Sequence, residues 1–132
     1  MKVFLPSDRF EVSADGITLV VSPLTHAQRL VISSFAKTVE GVATPTRESY
    51  KETLRQAVKG FSGFVDYNDE PLQFKSDDQG IMTEELAESL VDMLMGTQVG
   101  AAALLVSARK MDVVKKNLEN VEIKLEKKSQ AS

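Results

Sequence analysis

The sequence KGFSGFVDYNDEPLQF, residues 59–74, holds four of the eight aromatic residues in a chain of 132. Glycines, carboxylates and a proline separate these aromatic side chains, so they mark neither a helix face nor a strand face. We expect a helix to end at Gly60, where Phe61 and Phe64 cover the core. Three later side chains are expected to anchor a surface crossing to the next helix: Tyr67, Leu72 and Phe74. The stretch therefore predicts a structural corner between two helices.

The same stretch has a carboxylate spacing that is found in calcium-binding loops. Asp66, Asn68 and Glu70 are spaced like the first ligands of an EF-hand. That loop requires glycine at its sixth position and a bidentate glutamate at its twelfth, where this chain has Pro71 and Asp77. We therefore predict no calcium site here.

Short extended segments precede the first predicted helix. Asp15-Gly16 is a favourable turn dipeptide, and it predicts a hairpin in which residues 10–12 pair with residues 17–21. Cap residues and apolar stripes then predict three helices: from Thr25 to about Val39, from Thr44 or Thr46 to Gly60, and from Thr83 to Gly96.

The C-terminal residues 97–128 contain no proline, and Gly100 is their only glycine. Their helix propensity predicts a helix of about 30 residues, ~45 Å long, which would project from the domain or pack on another chain. Apolar residues at heptad-type steps mark the face that we expect to mediate self-association: Leu104, Met111, Val114, Leu118, Val121 and Leu125. The chain as a whole, residues 1–132, is predicted to be a single mainly α-helical domain with about four helices, a short N-terminal β element and this long C-terminal helix.

Composition narrows the possible classes of protein. With 42% hydrophobic and 27% charged residues, a chain of this length suits one soluble domain with its own core. The absence of cysteine excludes disulfides and thiolate metal sites and favours an intracellular protein. No window approaches the ~18–20 apolar residues that a membrane-spanning helix needs, so we expect no membrane partner.

Charge is distributed unevenly along the chain. Residues 1–64 carry 8 basic and 6 acidic groups, residues 65–92 carry 1 and 9, and residues 93–132 carry 7 and 4. The acidic middle disfavours nucleic-acid binding, which needs a clustered cationic stripe. It is compatible with a solvated face that aids solubility, or with contacts to basic residues of a neighbouring copy or partner. The carboxylates proposed for such contacts are Asp77, Asp78, Glu84, Glu85 and Glu88.

Nothing in the sequence indicates an enzyme. His26 is the only histidine, and general-base chemistry or metal binding would need partner residues that the sequence does not reveal. The seven glycines are scattered and form neither a phosphate-binding loop nor a nucleophile elbow. We expect no catalytic residue, no cofactor and no metal.

The order of a helix, the segment GFSGFVDYNDEPLQF, a short acidic loop and a Leu-rich helix resembles the tail assembly chaperones of long-tailed, siphovirus-type bacteriophages. Those proteins often have an aromatic residue and a glycine at a helix end, then an aspartate, a turn, a proline and an aromatic residue. Five residues match that order: Phe61, Gly63, Asp66, Pro71 and Phe74. The family often has tryptophan in place of Phe61 and glycine in place of Asp69, although aspartate tolerates left-handed backbone better than most residues. The resemblance covers about residues 17–95.

The resemblance implies a non-enzymatic protein of virion morphogenesis that acts in the host cytoplasm. Such chaperones bind the long helical tape measure protein and help subunits of the tail tube protein polymerise around it, without remaining in the finished particle. A binder of a long amphipathic helix needs apolar grooves and several copies along it, so we also expect a homo-oligomer. The alternatives are a structural tail or head-tail component that is retained in the virion, and an unrelated helical adaptor protein.

Overall fold

A four-stranded antiparallel sheet lies at the centre of the computed structural model, which describes residues 3–5 and 7–126. The strands are β1 Phe10–Ala14, β2 Ile17–Val21, β3 Lys37–Val39, β4 Val42–Thr44, β5 Val58–Ser62 and β6 Glu122–Leu125. The helices are α1 His26–Ser33, α2 Arg47–Ala57, α3 Glu84–Met95, α4 Gln98–Ser107 and α5 Met111–Asn117. The sheet order is β5-β2-β1-β6, while β3 and β4 form a separate hairpin. The predicted mainly α-helical fold is therefore wrong, and the fold is mixed α/β.

The predicted N-terminal hairpin is confirmed and becomes the centre of the sheet. β1 pairs with β2 so that Phe10 lies opposite Val21 and Val12 lies opposite Leu19. Asp15 and Gly16 both have positive φ angles, as a two-residue hairpin turn requires. Because side chains alternate along a strand, this register places one apolar row of each strand on the buried face.

Threonine residues cap four of the helices, as predicted from Thr25, Thr46 and Thr83 and from the position of Thr97 at the start of the last predicted helix. The side chains of Thr25, Thr46, Thr83 and Thr97 each accept a hydrogen bond from a backbone N–H of the first helical turn. The predicted capping box at the start of α1 is also present, since Gln28 accepts a hydrogen bond from the backbone N–H of Thr25. The helix starts were predicted correctly because caps are local interactions.

The ends of the first two predicted helices were wrong. α1 ends at Ser33 rather than near Val39, because the chain turns at Glu40 and Gly41, both with positive φ, and pairs β3 with β4. α2 ends at Ala57 rather than at Gly60. The residues after α2 are extended and form β5, which pairs with β2. Pairing gives their backbone N–H and C=O groups hydrogen-bond partners on the edge of β2 that a helix end would leave without partners.

The predicted long helix over 97–128 is also wrong. α4 ends at Ser107, Arg109 has a left-handed backbone with φ 66°, and α5 follows as a separate short helix. Residues 122–125 then form β6 on the free edge of β1. The apolar residues at positions 121, 123 and 125 have the spacing of one face of a strand, and two of them also fit the predicted helical seam. Pairing with β1 stabilises the strand. Residues 127 and 128 of the predicted helix lie outside the described part.

The core lies between the sheet and the helices. α4 packs on β1 and β2, α2 and α3 pack against each other, and both also contact α4. The largest fully buried side chains come from all of these elements and from the segment before α3: Leu19, Leu54, Met82, Leu94, Val99 and Val106. α4 reaches this position through Gly100, because a Cβ there would overlap the carbonyl oxygen of Leu94.

Candidate protein-binding surface

Residues 26–44, which comprise α1 and the β3–β4 hairpin, contribute no buried side chain to the core among those that the structure describes. Of the side chains that are described in this segment, only Ile32 packs partly against the core cluster. The segment is held in place mainly by contacts between α1 and α2 and by a hydrogen bond from the Thr46 hydroxyl to the Phe35 carbonyl. The segment is therefore anchored to the rest of the chain, while most of its described side chains are exposed.

Large apolar side chains nevertheless occur throughout this segment. The exposed ones are Leu30, Val31, Phe35, Val39 and Val42. Leu30 is 58% exposed and Val42 is 65% exposed, so folding of the single chain does not bury them. An exposed apolar patch is typical of a surface that binds another protein, and five of the exposed large apolar side chains fall within this one segment. We call residues 26–44 the docking segment.

A cavity of about 420 Å³ lies beside the docking segment. α1, the first half of α2 and the end of α4 form its walls. The lining surface is mostly apolar and includes Leu24, Ile32, Ala36, Tyr50, Leu104 and Ala108, while Arg29 and Lys110 also border the cavity. A groove between helices with such a lining can accept an apolar side chain from an amphipathic partner helix.

Tyr50 is the most unusual polar residue of this cavity wall. Its hydroxyl is buried and, among the described residues, has no hydrogen-bond partner. It is directed towards α4, because a Cβ at Gly100 would lie 2.7 Å from the hydroxyl oxygen. Burial raises the pKa of Tyr50 to about 12, since the charged phenolate is poorly solvated there.

The carboxylates predicted to bind a partner have mixed environments. Glu84 and Glu88 of α3 form ion pairs with Lys51 of α2, and Glu88 also pairs with Arg47 at 2.6 Å. Hydrogen bonding to Arg47, followed by that to Lys51, holds the pKa of Glu88 below its usual value. These charges hold α2 and α3 together, so they are not a free acidic face.

The other three predicted carboxylates lie at or near the start of α3. The Asp77 carboxylate accepts hydrogen bonds from the backbone N–H groups of Gln79 and Ile81, so it stabilises its own turn. Asp78 and Glu85 are exposed, and neither has an ion-pair partner within residues 3–5 and 7–126. Two of the five predicted carboxylates therefore remain available to a partner.

The Asp77 turn repeats the geometry of a turn eleven residues earlier. The Asp66 carboxylate accepts hydrogen bonds from the N–H groups of Asn68 and Glu70, and Asp69 has a left-handed backbone with φ 61°. In the second turn Gly80 takes the left-handed position with φ 78°. Asp66 and Asp77, which hold the first and twelfth positions of the calcium-like spacing, thus use their carboxylates as acceptors for backbone N–H groups.

The aromatic stretch at 59–74 does form a structural corner, although it joins a strand to a helix. The Phe61 ring packs edge-to-face against Phe64 at 5.1 Å and against Phe74 at 5.6 Å between ring centroids. Gly63 has φ +95°, and a Cβ there would overlap the carbonyl oxygen of Gly16 in the central hairpin. Tyr67 was predicted to anchor the crossing, but it is fully exposed at the tip of the first turn.

The residues predicted as a self-association face do not share one face. Three of them lie in different elements, with Leu104 on α4, Val114 buried on α5 and Leu125 exposed on β6. The remaining ones, Met111, Leu118 and Val121, pack partly against the core. The helical seam that connected them in the prediction does not exist.

Some functional features were missed by the sequence analysis. The docking segment was assigned to a helix that reaches about Val39 and to a loop. Gly41 is a residue that ends helices as well as one that forms turns, so it did not reveal the β3–β4 hairpin. The cations that pair with α3 were also missed. Arg47 and Lys51 are four residues apart, as are Glu84, Glu88 and Asp92, so two oppositely charged helical stripes were visible in the sequence.

No group of three or more histidines, aspartates and glutamates that could hold a metal ion occurs among the described residues. In the same part of the chain, no single helix is long and apolar enough to cross a membrane, and α3 and α4 reach that length only as a pair bent by 112°. The chain matches no known family model, and comparisons with curated proteins and with solved structures found no significant match.

Proposed function

We propose that this chain is a non-enzymatic assembly chaperone that binds a long helical protein through its docking segment. The observation that carries the proposal is the exposure of the docking segment's apolar side chains, which no other described part of the chain covers. An amphipathic helix can bury such a surface by placing apolar side chains at i, i+3, i+4 and i+7 on it.

We take the proposed partner from the resemblance over residues 17–95. It is the tape measure protein of a long-tailed bacteriophage, which the chaperone binds in the host cytoplasm while tail tube subunits assemble. The family motif supports the proposal through its roles in the corner: Gly63 allows close contact with the central hairpin, and Asp66 holds the first turn. Phe61 and Phe74 form the aromatic contact on which the corner closes.

A co-purification experiment tests the proposal. The full chain is co-expressed with the tape measure protein, and the amount retained by the tagged tape measure protein is measured. Leu30→Ser and Val42→Ser are each expected to weaken binding about five- to thirtyfold, because truncating an anchoring side chain costs roughly 1–2 kcal/mol.

Val65→Ser is the matched control. Val65 is 60% exposed, close to the value for Val42, but it lies in the corner rather than in the docking segment. Equal retention of all three variants would contradict the proposal. Mass spectrometry of purified particles provides a second test, since a chain present at fixed copy number in the virion would instead be a retained structural tail or head-tail component.

A further inference from the structure

β6 is an edge strand whose outer side is open. It pairs with β1 on one side, and no strand within residues 3–5 and 7–126 pairs with the other. An open edge presents unpaired backbone N–H and C=O groups, which are a template for a strand of another chain.

The direction of these backbone groups follows from the β1–β6 ladder. The Glu126 N–H donates to the Arg9 carbonyl at 2.8 Å, so Arg9 and Glu126 are a hydrogen-bonded pair in the register that continues through β6. Such pairs alternate along an antiparallel ladder, so the main-chain groups of residues 122, 124 and 126 face β1. Those of Ile123 and Leu125 therefore face the open edge.

We propose that the open edge of β6 pairs antiparallel with β6 of a second copy, about a two-fold axis at Ile123. Ile123 then lies opposite Ile123 of the second copy, and each donates its outward N–H to the other's carbonyl. Leu125 lies opposite Val121 of the second copy, and the outward N–H and carbonyl of Leu125 face that residue. Pairing with β1 therefore leaves outward the same backbone groups that pairing with the second copy requires.

Side-chain charge is complementary in this register. Glu122 lies opposite Lys124 of the second copy, and the two-fold axis repeats the pair, so two ion pairs flank Ile123. Moving the axis to Lys124 would place Lys124 opposite itself and Glu122 opposite Glu126. Like charges directly opposite each other are destabilising in a sheet, so that register is disfavoured.

The pairing also continues the rows of the central sheet. Leu19, Val12 and Ile123 are neighbours across β2, β1 and β6, so an apolar row would run across the interface into the second copy. Leu125 is 54% exposed in the single chain and would gain Val121 of the second copy as a neighbour. Lys124 would lie between Glu11 of its own chain and Glu122 of the other.

The resulting dimer has one continuous eight-stranded sheet. Its interface is isologous and uses each β6 edge once, so the assembly closes as a dimer. It uses none of the residues of the docking segment, so each dimer would present two docking segments to a long partner. The pairing does not depend on the proposed function, because its test uses the chain alone.

Sedimentation velocity of the full chain, with reversed charges, tests the pairing. The unmodified chain is expected to sediment with twice the monomer mass. Glu122→Lys and Lys124→Glu are each expected to sediment as monomers at the same concentration, because each places like charges opposite each other at both flanking positions. An equimolar mixture of the two variants restores opposite charges and is expected to regain the dimer mass.

The mixture also controls for folding, since only folded chains can pair in it. A monomeric unmodified chain would overturn the proposal. So would dimers of either variant alone that are as stable as those of the unmodified chain, or a mixture that stays monomeric while circular dichroism shows both variants folded.

Discussion

Gly63 is the position at which the aromatic corner is expected to tolerate substitution least. Its φ is +95°, and a Cβ there would overlap the Gly16 carbonyl oxygen and lie 3.1 Å from Cα of Ile17. Left-handed backbone costs a non-glycine residue about 1–2 kcal/mol, and forcing an atom into filled space costs about 1–3 kcal/mol. We expect Gly63→Ala to lower the free energy of unfolding by about 2–5 kcal/mol.

Gly80→Ala separates the two contributions. Gly80 has a similar φ of +78°, but a Cβ there would have no atom within 4 Å, so only the backbone cost of about 1–2 kcal/mol applies. The effect of alanine on the unfolded chain is the same in both variants and cancels in the difference. Urea unfolding followed by circular dichroism measures both losses, with an unchanged m-value as the check on two-state behaviour. Equal losses in the two variants would refute the close approach between the corner and the central hairpin.

Four further substitutions, with Asp78→Ala as a control, test individual contacts of the structure. Tyr50→Phe removes an unpartnered buried hydroxyl and is expected to raise the free energy of unfolding by about 1 kcal/mol. The folded-state pKa of Tyr50, about 12, lies above the ordinary value of 10.0, so the unmodified chain should lose stability from about pH 10 to 12. Unfolding curves at alkaline pH should show a smaller loss for the variant. The lowered pKa of Glu88 stabilises the fold above about pH 4.5, and this contribution disappears as the carboxylate is protonated at lower pH. Arg47→Met removes the main cause of the lowered pKa, so the variant should lose less stability on acidification than the unmodified chain does. Asp66→Ala and Asp77→Ala should each cost about 1 kcal/mol in urea unfolding, as the loss of a capping carboxylate does, whereas Asp78→Ala should cost little.

Features that depend on neighbouring residues were predictable from the sequence. The threonine caps, the Asp15-Gly16 turn and the Phe61–Phe64 ring contact at the start of the corner each rest on interactions that span a few positions. The positive φ of Asp69 was anticipated in the same way, because aspartate tolerates left-handed backbone. Local chemistry therefore identified where most elements begin.

The remaining features depend on partners that are distant in the sequence. Residues 121–125 fit both a helical seam and a strand, and only the free edge of β1 decides between them. Val58 similarly continues the α2 stripe until β2 pairs with it. The apolar stripe predicted for the first helix includes Leu30 and Val31, and both remain exposed, because a sequence pattern shows that a face is apolar but not what covers it.

Hydrogen exchange of the full chain, with and without an amphipathic helical segment of the tape measure protein, tests most directly that residues 26–44 bind a helical partner. Saturating amounts of the segment are expected to slow exchange of the backbone amides in α1 and the β3–β4 hairpin, while amides of β1 and β2 in the central sheet stay unchanged. Unchanged exchange in residues 26–44, or protection confined to another part of the chain such as α3, would contradict the account.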